Sequence, residues 1–348
     1  MTDLTHEIPR WFAGLAKRTG AFGIVDRRRS TGSKFSWAFE LQPAKGRTAF
    51  KLLVEAKQRL TPQEFLAWER CIPPSAKKEK TVICSPTISP RVADLCLDRG
   101  IGYLDAAGNC HIQAPGLFLH IEGQPNPHRS RRKAANPFAT KSSRIARVLL
   151  TDVRRGWQVQ ELAREADVSL GLTSRIKEAL VNEAFVELRE GLLFVREPAS
   201  LLQAWRNAYS LPERQSFYVM DKSENIEHRI AAWSVEHGVP YALTAYSGAW
   251  RLAPMVRHAL STVYVEVRDD SDLARLITEL GAKRVDSGAN LSIWLPQDRY
   301  IFYGAAPIKG LNVVSALQLY LDLTQLSGRG EEAAGEIFER ELKSKWRT

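Results

Sequence analysis

Residues 142–197 constrain this chain more than any other stretch, because three helical repeats run directly into two strand-like bursts. Ser142 is positioned to cap a helix carrying Ile145, Val148, Leu149 and Val153 on one face. Arg154, Arg155 and Gly156 suit its C-terminus. A second short helix is expected over residues 158–166, with Val159, Leu162, Ala163 and Ala166 inward and Asp167-Val168-Ser169 as the following turn. The third helix is expected over residues 171–182, on a buried stripe of Leu172, Ile176, Ala179 and Leu180. Thr173, Ser174, Arg175 and Lys177 fall on or beside its free face. Residues 185–188 and 192–195 read as strands, joined by a tight turn at Arg189-Glu190-Gly191. Helix, helix, turn, helix and hairpin, in that order, is the plan of a winged helix-turn-helix.

Such a unit lays its last helix in the DNA major groove, with residues near that helix's start on base edges. Those residues must be polar and of modest length, and the opposite side must be apolar enough to hold the helix down. Thr173, Ser174, Arg175 and Lys177 meet the first demand; Leu172, Ile176 and Leu180 meet the second. Arg189 would sit on the wing. The same three-helix plan also serves as a protein-docking unit, which is the alternative.

Charge points the same way. The 348 residues carry a formal net charge of +10, and a polyanion is the economical partner for such an excess. A merely solvated basic surface is the other reading. A hydrophobic content of 44% allows sizeable cores, and the length suits two or three domains. Of the cysteines Cys71, Cys84, Cys96 and Cys110, none forms a CxxC pair and only Cys110 adjoins a histidine, so buried thiols are expected rather than a metal site. Met1 to Arg10 is polar and charged, and no apolar run is long enough for a bilayer, so a cytoplasmic protein without membrane attachment is expected.

Residues 1–124 are expected to form an α/β domain. A helix over residues 9–19 precedes Arg27-Arg28-Arg29, which reads as a solvated loop or a phosphate contact. Strands follow at 35–41 and 49–55, joined at Pro43-Ala44-Lys45-Gly46. A helix over 61–70 has Thr61 as its cap and Pro62 at its first position. A strand at 82–84, a helix from Ser89-Pro90 to Gly100, and strands at 101–104 and 117–121 complete it. Glu55-Ala56-Lys57 closes an apolar strand in the (D/E)xK arrangement of restriction endonucleases. That chemistry needs acids converging on a metal, with the lysine near the attacking water. Glu40 on the preceding strand and Asp105 at a later strand end are the candidate further acids. Asp105, ahead of Gly108 and Asn109, also suits a turn-stabilising role. Magnesium is implied only if such a site is active; otherwise no metal or cofactor is expected, and the domain is read as an inactive scaffold.

Residues 125–141 read as a linker with Pro125, Pro127 and Pro137, whose Arg129, Arg131, Arg132 and Lys133 can reach phosphates. The DNA-reading domain spans 142–211, and a second α/β domain 212–348. In the latter, strands are expected at 217–220, 241–246, 262–267, 291–295 and 301–303. Helices are expected at 225–237, 250–260, 272–281, 313–326 and 331–345. No Gly-rich phosphate loop and no nucleophile–histidine arrangement is present in it.

Three segments together resemble a known family. They are Val54-Glu55-Ala56-Lys57 with Tyr103-Leu104-Asp105-Ala106-Ala107-Gly108-Asn109, the 142–197 stretch, and the tail. In the tail, Gln318-Leu319-Tyr320-Leu321-Asp322-Leu323 precedes Gly328-Arg329-Gly330-Glu331-Glu332-Ala333-Ala334. The chain is similar to AbiEi-type antitoxins of type IV toxin–antitoxin systems, in a variant with an endonuclease-like N-terminal domain. The resemblance implies a bacterial repressor that binds a promoter repeat through its winged helix and accompanies a nucleotidyltransferase-like toxin. Better-described relatives carry the winged helix at the N-terminus, whereas here it is central. The expectation is therefore a sequence-specific regulator of double-stranded DNA binding a promoter repeat, with a homodimer as one option for its oligomeric state. The alternatives are a metal-dependent nuclease using Glu40, Glu55, Lys57 and Asp105, and a non-enzymatic protein that holds a toxin or another subunit.

Overall fold

The computed structural model describes residues 4–29, 35–46, 48–73, 80–128, 135–253 and 259–347. The chain is mixed α/β and divides into two compact units: Met1–Ala134 with Val181–Ala184, and Ala135–Leu180 with Phe185–Thr348.

The first unit is built on one seven-stranded sheet whose strands lie in sequence order. Its elements are α1 (Ile8–Thr19), β1 (Phe22–Arg29), β2 (Trp37–Pro43), β3 (Phe50–Ala56), α2 (Pro62–Arg70), β4 (Lys80–Ser85), α3 (Pro90–Asp98), β5 (Gly102–Asp105), β6 (Cys110–Ala114) and β7 (Leu117–Ile121). Only β3, β4 and β5 run parallel, because only there do helices α2 and α3 supply crossovers. The remaining neighbours are antiparallel hairpin partners.

Both faces of the sheet are covered. On one, Ile8, Phe12 and Leu15 of α1 pack on Phe39, Leu52, Val54 and Leu104. On the other, Phe65 and Trp68 of α2 and Val92 and Leu95 of α3 pack on Ile83 and Tyr103. Central β4 is accordingly apolar on both sides, as a doubly covered strand must be. Helix α2 starts where Thr61 and Glu64 cap each other: the Glu64 amide donates to the Thr61 hydroxyl at 3.2 Å and the Thr61 amide to the Glu64 carboxylate at 2.7 Å.

Two expectations fail here. Arg27, Arg28 and Arg29 are not in a loop; they close β1, paired with Phe39, Ala38 and Trp37. That strand is the sheet edge, where charged side chains discourage further pairing. Strand β6 was not expected at all.

The second unit begins with α4 (Ser143–Thr151), α5 (Val159–Glu165), α6 (Leu170–Asn182) and the hairpin β8 (Val186–Arg189) and β9 (Leu192–Val195). Helix α7 (Pro198–Ala208) leads into β10 (Glu213–Tyr218), α8 (Ser223–His237), β11 (Tyr241–Leu243), α9 (Ala245–Leu252), β12 (Ser261–Val265), α10 (Asp270–Leu280), β13 (Lys283–Arg284) and β14 (Leu291–Leu295). The chain ends through β15 (Ala306–Ile308), β16 (Leu311–Val313), α11 (Ala316–Leu323), α12 (Gly330–Ile337), a π-helical stretch Phe338–Lys343, and α13 (Ser344–Arg347). The large sheet has the order β13-β10-β14-β12-β11-β16-β15. Every residue of α11 from Leu317 to Leu323 is buried, which marks it as a central helix rather than an amphipathic surface one.

Boundaries differ from expectation at several places: β10 spans Glu213–Tyr218 rather than 217–220, and β13 and β15 were not expected. Helix α9 starts at Ala245, five residues before the expected start, and residues 254–258 lie outside the described set. Residues 301–303 are not a strand; Arg299–Phe302 is a 3-10 turn, which Asp298 caps by accepting from the Tyr300 amide at 2.9 Å. The single helix expected over 313–326 is a strand and a shorter helix, separated where the Ser315 hydroxyl caps α11.

Gly330 in the tail has a packing reason. A Cβ on Gly330 would lie 2.5 Å from the Leu323 carbonyl oxygen and 2.9 Å from the Leu326 Cβ. Backbone cannot yield as a side-chain tip can. Gly330→Ala is therefore expected to destabilise the second unit by about 1–3 kcal/mol, measured by denaturant unfolding. Unchanged stability would show that the start of α12 is free to shift.

Candidate functional site

Helix α6 is held down by Thr173, Ile176 and Leu180. Thr173 is fully buried, and its hydroxyl donates to the Ser169 carbonyl at 3.1 Å. The sequence reading put Thr173 on the free face; the structure turns it inward, and Leu172 and Ala179 are only half-buried. Ser174 and Lys177 flank the open side and Arg175 is exposed. Neither Arg175 nor Lys177 has an ion-pair partner among the described residues.

The turn before α6 is fixed from outside the helix pair. Asp167 adopts φ 49°, and Arg144 of α4 donates to its carbonyl at 3.0 Å and its carboxylate at 2.9 Å. The same guanidinium donates through Nε to Asp298 at 2.8 Å and lies 4.4 Å from the Tyr300 ring centroid. Tyr300 and Tyr303 donate to the carbonyl and carboxylate of Glu165, each at 2.7 Å. The three helices are thus fastened to the C-terminal sheet through the Arg299–Phe302 turn. Ser142 makes no side-chain cap to α4. Lys141 and Arg164, which the sequence reading passed over, line an open groove beside Ser169 and Leu172 at the start of α6. Their only signal in the sequence was charge next to the turn.

The hairpin closes on Glu190 and Gly191, both with positive φ, in the two-residue turn that matches strand twist. Exposed Arg189 pairs with Glu187 and lies over the Phe194 ring. Trp157 bridges to Leu193, so the connection between α4 and α5 adds a short third edge to the hairpin. Arg129, Arg131, Arg132 and Lys133 lie outside the described residues.

Beneath the helices sits a buried polar cluster whose members are too far apart in the sequence to be assembled from it. The Asp322 carboxylate accepts from Tyr209 at 2.6 Å, Tyr264 at 2.9 Å, Gln318 at 2.8 Å and Thr244. Gln318 in turn accepts at 2.6 Å from Arg147 of α4, itself buried. Burial pushes the Asp322 carboxyl up from 3.8 to about 6, against the pull of its four donors. Burial likewise lowers the Arg147 pKa and raises those of Tyr209 and Tyr264.

In the first unit, Glu55 is nearly buried at the end of β3, where Lys57 pairs with it at 2.9 Å and the Ser36 hydroxyl donates to it at 3.0 Å. Of the four nuclease candidates only Glu55 and Lys57 are brought together; Glu40 and Asp105 do not join them. Glu40 is exposed and faces Lys51 in the register, about 13 Å along the strand from the Ser36 level. Asp105 is buried, and its oxygens accept from the amides of Ala107 and Asn109 and the side chains of Asn109 and Asn126, all at 2.9 Å. It lines a separate cleft with Tyr103 and Glu122. Among the described residues no group of three or more His, Cys, Asp or Glu is arranged to hold a metal ion. No helix there is long and apolar enough to cross a membrane.

Comparison with protein families matches residues 194–343 to a family described as transcriptional regulator, AbiEi antitoxin of type IV toxin–antitoxin systems. The resemblance read from the tail is borne out over this segment. Neither the curated proteins nor the solved structures gave a match.

The Asp322 carboxyl makes stability depend on pH. Its folded pKa lies above its ordinary value, so its contribution is full when protonated and is lost as pH rises from about 4 through about 6. The stability of the parent protein relative to Asp322→Asn is expected to be higher at pH 4 than at pH 7 in denaturant titrations. An equal difference at both pH values would show that the carboxyl is not raised.

Proposed function

We propose that the chain is a DNA-binding transcriptional regulator of the antitoxin type. In this reading residues 142–211 act as a winged helix-turn-helix domain, residues 212–348 as the antitoxin-like body, and residues 125–141 as the basic linker. The observation that carries it is the state of α6. Its inner face is anchored by Thr173, Ile176 and Leu180, while Arg175 and Lys177 have no ion-pair partner among the described residues, and a tight hairpin follows α6 in the chain. A helix held from behind with free cations in front suits insertion into a major groove. Arg175, Lys177 and Ser174 take the base-reading role; Arg189, Lys141 and Arg164 take phosphates, with Arg129, Arg131, Arg132 and Lys133 adding affinity from the linker. Thr173 drops out of the base-reading set. The family match over residues 194–343 supports the regulator role and a toxin partner; a nucleotidyltransferase-like toxin is what the resemblance of the tail implies. A homodimer on an inverted repeat follows from that reading.

The first unit is assigned as an endonuclease-like scaffold without catalysis, within a domain spanning residues 1–124. The order helix, three antiparallel strands, helix and parallel strand, with Glu55 and Lys57 at the end of β3, supports the likeness. Ser36 stands where a second acid would have to face Glu55.

Selection of bound sequences from random duplexes supplies the operator for the test. Arg175→Ala is expected to cost about 1–3 kcal/mol on that operator and little on random duplex, while Arg189→Ala weakens both and lowers the salt slope by about one. Equal losses from Arg175→Ala on both duplexes would remove it from base reading. No cleavage of linear or supercoiled DNA is expected with magnesium or manganese. Cleavage that disappears in both Glu55→Ala and Lys57→Ala would overturn the scaffold assignment.

A further inference from the structure

The last hairpin of the first unit, β6 with β7, carries a cross-strand pair of histidines. Pro115 and Gly116, the latter at φ 73°, form its turn, and the resulting register sets His111 directly opposite His120. Both side chains therefore leave the same face of the sheet. Their Nδ1 atoms are 3.2 Å apart. His120 and Phe118 are exposed and His111 is half-buried, so solvent reaches this end of the face.

A hydrogen bond between two imidazoles accounts for the close approach with one proton between the rings. A metal ion accounts for more of the surroundings. Zinc–imidazole bonds are about 2.0–2.1 Å long, so two such ligands of one tetrahedral ion stand about 3.3–3.4 Å apart. A ligating histidine usually directs its other ring N–H to a carboxylate, which fixes its tautomer and its ring. His120 Nε2 lies 3.5 Å from Glu122 Oε1, and the Tyr103 hydroxyl donates to that same oxygen at 3.4 Å. With its proton on Nε2, His120 presents the Nδ1 lone pair to His111. The His111 ring is confined by Tyr103, stacked at 6.4 Å between centroids, and by Phe118, edge-on at 5.7 Å.

We propose that His111 and His120 bind a divalent transition-metal ion of the zinc class through their two Nδ1 atoms, with Glu122 orienting His120 from behind. Imidazole suits such ions, whereas magnesium and calcium take oxygen ligands. No group of three or more His, Cys, Asp or Glu is arranged around an ion among the described residues, so water completes the coordination sphere. The ion takes the place of the proton between the rings; that proton passes through water to the free Nε2 of the same ring, and both imidazoles stay neutral. The two ligands come from neighbouring strands at the sheet edge, so the occupied site staples β6 to β7. The inference concerns the first unit alone and is independent of DNA binding by α6.

The test is calorimetric titration of the untagged, chelator-treated full-length protein with zinc chloride and, separately, with magnesium chloride. Saturable binding of zinc at one principal site per chain is expected, and none of magnesium. His111→Ala and His120→Ala should each weaken that site by roughly tenfold or more, and Glu122→Gln, which keeps both ligands, by roughly tenfold. His120 and Glu122 are exposed, so these two variants decide the matter if His111→Ala does not fold. No saturable zinc binding in the parent protein, or binding undiminished in His120→Ala because other surface groups hold the ion, would overturn the site. Loss in His120→Ala with full affinity in Glu122→Gln would overturn the orienting role of Glu122.

Discussion

The second unit depends on one buried carboxylate. Asp322 takes hydrogen bonds from Thr244 between β11 and α9, Tyr264 on β12, Tyr209 after α7, and Gln318 one turn back on its own helix. An ionised group deep in a protein is tolerated only when its acceptor capacity is filled. Here the filling groups come from separate elements, so satisfying the acid also fixes where α7 ends, where α9 begins and how α11 sits on the sheet. Gln318 extends the arrangement to Arg147, which brings α4 into the same network. Removing any single donor leaves a buried charge short of a partner, so the network acts as a unit.

That network explains why the orientation of α6 is set by residues far from it in sequence. Arg147 ties α4 down from inside, and Arg144, one turn earlier, reaches both the Asp167 turn and Asp298. The turn between α5 and α6 is therefore determined partly by acids and tyrosines more than a hundred residues away. Local hydrophobic pattern supplies the helices; the long-range polar contacts choose their mounting.

How far the sequence could be read follows from the same distinction. Helices with strong caps, such as α2 behind Thr61 and α10 behind Asp269, and the Glu190-Gly191 hairpin carry their signals locally. Short strands such as β6 and β16 do not, because a few residues of alternation are indistinguishable from a loop. Thr173 was misplaced because two stripes fit α6: Leu172 with Ile176, or Thr173 with Ile176 and Leu180. A threonine can join the inner stripe by returning its hydroxyl to the carbonyl four residues back, which polarity alone does not reveal. Glu40 failed differently. Alternation puts it on the same sheet face as Glu55, but the antiparallel register runs Glu55 toward Ser36 and carries Glu40 to Lys51 at the far end. Face is legible from a period of two; register across a hairpin with a loop of uncertain length is not.

The span of the family match bears on where specificity resides. It begins at Phe194, in the second strand of the hairpin, and so takes in the Tyr209, Thr244, Tyr264, Gln318 and Asp322 network but none of α4, α5 or α6. The matched segment therefore contains an internal acid with its donors, and Gly330, where backbone approaches backbone. Those constraints are satisfied wholly within the fold and place no demand on Arg175 or Lys177. The helix face that would choose an operator is held in position by the matched body, yet its chemistry is independent of it. The matched span includes part of what mounts α6, Asp298 and Tyr300 among it, but not Arg144, Arg147 or α6 itself.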